Sequence, residues 1–526
     1  MASPTHTSAA ASSDDATSDA ATVVAPIPSP RPGGPADVPT HGPSRRGVAR
    51  ALLAVLVALA LLAGLLTATA LSAPSLARSL GLPLDVPTGP APEPTVPRPR
   101  LTAAPADAPQ PTADGVAAAL DDRLDGLGDL TGVVVDPAVG TGLWSRGPQD
   151  PQVPASSTKL LTTAASLLVL DPAGRFTTSV VAGPTPDSVV VVGGGDPTLS
   201  SLPDGEESVY SGAAHLDDLV AQVRAARAGA PALRTVYLDL SRYDGPTLAA
   251  GWDPVDIAGG NLAPMVPTML DGGRLVPTEV DGARTATPAQ TLGGELARRL
   301  GAPGAQVTLG SAPTAAAPLG SVASPPTTEL VRLALQNSDN VLAEALGREV
   351  ARRTGRPATF AGAAEAVTGV LAERGIDVAG VTLSDTSGLS TADRIPASAL
   401  ASVLTTAAGP DTGTASAGAA SSASSASSGS PASPAALRPV LDGLPVAGGV
   451  GTLADRFGTA TTGAPARGWV RAKTGTLTGT SALAGIVTDV DGRVLVFAFM
   501  SNGSDVLGAR PRLDALTAAL RACGCR

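Results

Sequence analysis

Residues 51–73 run for 23 positions without a charge, and Arg45, Arg46 and Arg50 stand just ahead of them. A stretch of this length crosses a hydrocarbon core as one helix, and arginines on its N-terminal side favour a cytoplasmic start. The expected layout is therefore a disordered cytoplasmic tail at 1–47, a transmembrane signal anchor at 48–73, and an extracytoplasmic remainder. A cleaved signal peptide is the competing reading, since Ala68-Thr69-Ala70 offers a cleavage site and Ser44-Arg45-Arg46 faintly resembles a twin-arginine signal. Cleavage would make the chain secreted, and on either reading everything beyond residue 73 is exported.

With 526 residues the chain exceeds one ordinary core. Pro92, Pro94, Pro97 and Pro99 make 74–112 a semi-rigid stalk. An Ala/Ser-rich stretch is placed at 408–438 as a low-complexity loop. Between these, strand signals fall at 131–136 and 178–192, and helical signals at 156–170, 216–228, 291–300 and 328–353. Near the C-terminus, apolar runs at 481–489 and 493–500 flank Asp491-Gly492, a hairpin signal, and 509–522 reads as a helix covering that sheet. The folded part is expected to be α/β (α+β).

Composition removes several chemistries. A net charge of -10 and only 2% aromatic residues argue against nucleic acid. Three histidines, His6, His41 and His215, leave no Ser-His-Asp triad and no His-rich metal site, so neither metal nor cofactor is expected. Cys523 and Cys525 end the chain as Cys-Gly-Cys, neither a zinc spacing nor a disulfide framework, and read as a free or partner-linked tail. Of 36 lysines and arginines only Lys159 and Lys473 are lysine. A surface charge can be either residue, but only lysine can lose its proton and act as a base. The two lysines are thus the first candidates for chemistry.

Lys159 closes Ser156-Ser157-Thr158-Lys159, ahead of an apolar run. On a helix, positions i and i+3 share a face, which would bring the amine to the Ser156 hydroxyl in a first turn whose dipole favours developing negative charge. A serine-capped helix start would read the same way. Lys473 opens Lys473-Thr474-Gly475-Thr476, which suits a strand that receives a carboxylate: charge, hydroxyls, and close backbone approach at glycine. Alone, it would equally be a β-turn. Ser338-Asp339-Asn340 holds one of only four asparagines, with another at Asn337. Helix capping is its ordinary explanation.

In this order, S-x-x-K, S-D-N and K-T-G form the signature of penicillin-binding proteins and class A β-lactamases. Gly193-Gly194-Gly195-Asp196-Pro197, the segment from Asp385 to Ser390, and the segment from Gly451 to Phe457 resemble the S13 peptidase family, the low-molecular-mass class C penicillin-binding proteins. The resemblance covers roughly 115–502. It implies a transpeptidase-like fold and D-alanyl-D-alanine carboxypeptidase or endopeptidase action on peptidoglycan stem peptides, with β-lactams as covalent inhibitors. It also implies Ser156 as nucleophile, Lys159 as base, and Ser338 and Asn340 as relay and carbonyl holder. Lys473 and Thr474 would bind the substrate carboxylate, and the N-H groups of Ser156 and Thr476 would form an oxyanion hole reached past Gly475. The 182 residues between Ser156 and Ser338 imply an inserted accessory domain at 193–323, dividing the catalytic part into 113–192, 324–407 and 439–526. A β-lactamase-like hydrolase and a noncatalytic peptidoglycan-binding protein are the alternatives.

Overall fold

The computed structural model describes residues 108–411 and 430–524. The expected tail, anchor and most of the stalk lie outside the described residues. Among the described residues no helix is long and apolar enough to cross a membrane.

The larger body is built on β1 (Asp129–Asp136), β2 (Thr141–Arg146), β8 (Val470–Leu477), β9 (Thr480–Thr488) and β10 (Val494–Asn502), in the antiparallel order β2-β1-β10-β9-β8. The β9–β10 hairpin turns at Asp491-Gly492, where Gly492 takes φ +88°. Strand residues alternate between faces. On β10, Val496, Ala498 and Met500 face one hydrophobic core while Leu495, Phe497 and Phe499 face another. Both faces are therefore covered, which explains why these strands read as continuous apolar runs. One face carries α1 (Ala113–Leu120) and the C-terminal α10 (Val506–Ala522). The other carries α2 (Lys159–Val169), α5 (Thr327–Gln336), α6 (Asn340–Arg353), α7 (Phe360–Glu373), α8 (Ala397–Ala408) and α9 (Pro434–Asp442).

A second five-stranded sheet has the order β6-β5-β4-β3-β7, from β3 (Thr177–Ala182), β4 (Ser188–Val192), β5 (Thr235–Asp239), β6 (Gln306–Leu309) and β7 (Pro318–Ala323). Its core is shared with α3 (Leu216–Ala226) and α4 (Pro288–Arg299). Thr177 pairs with Ala323, so the chain enters and leaves this sheet on adjacent strands. β3 and β4, grouped above with the first catalytic segment, belong here. Because β3 pairs with β7 and β4 with β5, this sheet starts in the chain at Thr177.

Three further differences have local causes. The single helical signal at 328–353 is two helices, broken where Ser338 takes φ +54° and Asp339 caps α6 by accepting from Leu342 N. The low-complexity loop ends before 434, since Ser433 caps α9 and Leu437 is buried; residues 412–429 lie outside the described residues. Cys523 is disulfide-bonded, which removes the free thiol, and Cys525 lies outside the described residues.

Candidate active site

Ser156 sits in a 3₁₀ turn, Ala155–Thr158, that feeds directly into α2. In such a turn residues i and i+3 eclipse, and Lys159 Nζ lies 3.0 Å from Ser156 Oγ. Ala155, fully buried, holds φ +48°, a left-handed conformation that costs a non-glycine residue about 1–3 kcal/mol. Two glycines clamp the turn. A Cβ on Gly388 would stand 1.9 Å from Ala155 O, and one on Gly475 would stand 2.5 Å from Pro154 O. Gly475 therefore admits the edge of β8 to the nucleophile's backbone.

Lys159 is sealed from solvent while Ser156 is half-buried at the wall of a cavity of about 970 Å³. The amine meets three acceptors: Ser156 Oγ, Asn340 Oδ1 at 2.6 Å and Ser387 O at 2.7 Å. Burial lowers its pKa from the ordinary 10.5 to about 8, opposed by the carboxylates of Asp385, Asp339, Glu344 and Asp393. At pH 7 such an amine is neutral roughly 300-fold more often than an ordinary lysine.

Asn340 and Glu344 lie one turn apart on α6 and serve the same amine. Glu344 accepts from the backbone N-H groups of Thr386 (2.9 Å) and Ser387 (2.7 Å), holding the loop whose Ser387 carbonyl meets Lys159. Burial, then the neighbouring Asp385, raises its pKa to about 7. Asp385 in turn binds Gly388 N, Ser390 N and the Trp252 indole.

The second motif is held by residues that lie between Ser156 and Ser338 in the chain. Asn340 Nδ2 donates to Asn261 O at 2.8 Å, which turns Oδ1 toward Lys159. Asp339 Oδ2 accepts from Tyr210 Oη (2.8 Å), Arg274 Nη2 (2.7 Å) and Arg284 Nη2 (3.3 Å), all buried. Burial alone would raise the Asp339 pKa, but the Arg284 and Arg274 guanidiniums override it and hold the carboxyl far below its ordinary range. The capping of α6 by Asp339 and this clamp together set the strained Ser338 in place.

Lys473 lies on β8, the outermost strand. Val446 bridges to Arg471 along the first half of that strand, while the second half lies against the nucleophile turn. Its amine is fully buried and donates to Ser338 Oγ (2.9 Å) and Thr474 O (2.8 Å). Burial, reinforced by the charge of Lys159, pushes its pKa well below the ordinary value. Thr474 and Thr476 line the cavity with Ser156, Ser338 and Asn340. Thr474 Oγ1 stands 2.8 Å from Thr452 Oγ1, and Thr476 Oγ1 accepts from Arg510 Nη2 at 3.1 Å.

Of the eight residues singled out in the sequence, Ser156, Ser338, Asn340, Thr474 and Thr476 line one cavity, Lys159 and Lys473 are buried behind it, and Gly475 packs against the nucleophile turn. A sequence model of the D-Ala-D-Ala carboxypeptidase 3 (S13) family matches residues 113–283, 278–420 and 429–522. The chain belongs to the S13 family. It is a serine-type D-Ala-D-Ala carboxypeptidase, a low-molecular-mass penicillin-binding protein acting on peptidoglycan. It is 46% identical over 440 residues to carboxypeptidase DacB of Mycolicibacterium smegmatis, covering 83% of this chain and 90% of that protein. A carboxypeptidase of Mycobacterium tuberculosis is 45% identical over 442 residues, with the same coverage. Penicillin binding protein 4 of Haemophilus influenzae has the same fold at 19% identity, with a TM-score of 0.57 over 77% of this chain and 97% of that one. The S13 resemblance drawn from the segments at 193–197, 385–390 and 451–457 holds, and the match spans both sheets.

Several residues of this S13 site escaped the sequence reading. Arg274 and Arg284 are two among 34 arginines and carry no local signature. Asn261 acts through its carbonyl, which any residue possesses. Glu344 was visible as the residue four positions after Asn340, a spacing that places both on one helix face.

Proposed function

We propose that Ser156 is acylated by the penultimate D-alanine of a stem peptide, with Lys159 as the base. The observation that carries this is the 3.0 Å contact between a sealed amine of pKa about 8 and a hydroxyl on the cavity wall. Neutral Lys159 takes the Oγ proton as Oγ attacks the carbonyl carbon. The oxyanion is stabilised by the N-H groups of Ser156 and Thr476, donors of a kind that contribute roughly 3–4 kcal/mol each. Collapse breaks the C-N bond, and the proton returns to the departing nitrogen through Ser338. Lys159 then deprotonates a water, which attacks the acyl carbon and regenerates the serine.

The same residues serve carboxypeptidase and endopeptidase cuts, since both break a bond after a D-alanyl carbonyl. Covalent β-lactam binding follows from the same nucleophile, and a structure of the Haemophilus influenzae protein holds a β-lactam. The uncharged run at 51–73 supports an anchored, extracytoplasmic placement. The test is to label the full chain with fluorescent penicillin and locate the adduct by peptide mass spectrometry. The adduct is expected on Ser156; labelling on another serine overturns the assignment.

A further inference from the structure

A peptide ending in D-alanine brings a negative charge into the cavity, and that charge calls for a cation able to face it. Neither lysine is placed for this. Lys473 is sealed from solvent, its amine turned to Ser338 Oγ and Thr474 O, and burial disfavours its charged form. Lys159 is equally sealed and held by Ser156, Asn340 and Ser387.

Two arginines do line the cavity, Arg456 and Arg510. Arg456 is committed: Nε and Nη2 make a bidentate pair with the Asp514 carboxylate at 3.2 and 2.5 Å. Arg510, in the second turn of α10, is half-buried, and its guanidinium makes one hydrogen bond among the described residues, from Nη2 to Thr476 Oγ1 at 3.1 Å. It forms no ion pair among the described residues, although Asp256, Asp281 and Asp455 line the same cavity. The fork of Arg510 therefore stands beside the strand that presents Thr474 and Thr476, with N-H donors to spare. A planar guanidinium next to hydroxyl groups matches a planar carboxylate better than a point charge does.

We propose that Arg510 is a specificity-determining residue that reads the free α-carboxylate of the departing D-residue. This rests on Ser156 being the acylated residue and deepens that reading. The ligand class is a leaving group whose amine and carboxylate share one carbon. A terminal D-alanine qualifies, and so does any cross-linked residue with an unmodified carboxylate at the cut centre. An amidated or esterified carboxylate gives up the charged contact.

The experiment compares kcat/KM of the full chain on a diacylated tripeptide ending in D-alanyl-D-alanine and on its C-terminal carboxamide. The wild type prefers the free acid, and Arg510→Gln lowers the acid-to-amide ratio roughly 10- to 100-fold, the range for losing one charge-assisted contact. Arg510→Lys restores part of the ratio, which a merely structural role would not do. An unchanged ratio in Arg510→Gln, or a wild type that does not distinguish acid from amide, overturns the proposal. Ser156→Ala is run alongside: retained turnover there would sink the nucleophile assignment, whatever the ratio does.

Discussion

Lys159 and Lys473 are both completely buried, on neighbouring walls of one site, yet their surroundings push them to different ends. Around Lys159, the carboxylates of Asp385, Asp339, Glu344 and Asp393 work against burial and leave the amine at about 8. Around Lys473 no such acid counts, and the charge of Lys159 adds to burial. One amine is poised to take and return a proton near neutrality. The other is suited to donating hydrogen bonds to Ser338 and to the backbone of β8. Burial lowers both amines, and what makes Lys159 the base is its contact with the Ser156 hydroxyl, which Lys473 does not reach.

The strongest way to break this contrast is to make the first amine permanently charged. Lys159→Arg keeps the cation but cannot deprotonate, so acylation by fluorescent penicillin is expected to slow roughly 100- to 10,000-fold. Near-normal labelling would remove Lys159 as the base. The next step is to strip the acids that separate the two lysines. Asp339→Asn leaves the buried Arg274 and Arg284 without their shared carboxylate, a loss of roughly 3–5 kcal/mol that should appear as a lowered thermal unfolding midpoint. Glu344→Gln has a smaller effect. Removing one pKa-raising carboxylate lets the Lys159 pKa fall, so the pH at which acylation reaches half its plateau should move down. An upward movement would contradict the assigned electrostatics.

Chemistry was more legible in the sequence than its supports. Ser156, Lys159, Ser338, Asn340 and Lys473 could be found because scarce residue types sit in short motifs. The β9–β10 hairpin could be found because Asp491-Gly492 interrupts two apolar runs. The break between α5 and α6 was hard to see, since apolar residues recur at helical spacing on both sides of the short polar run 336–340, within which the backbone reverses into the left-handed region at Ser338. That reversal depends on a clamp from Tyr210, Arg274 and Arg284, more than 50 residues away in the chain, which no local pattern records. The membership of β3 and β4 in the second sheet is hidden for a related reason. β3 and β4 are apolar strands like any others, and only their partners β5 and β7 assign them to it.

The most direct measurement of the central claim is the pH dependence of acylation in the wild-type chain, followed from pH 6 to pH 10 with a β-lactam that does not itself titrate in that range. Because the neutral amine is the reactive form, the rate should climb as pH rises, reach half its plateau near pH 8, and level off above it. A rate that is flat across this range, or that still climbs steeply at pH 10 as for an ordinary lysine, would contradict the account.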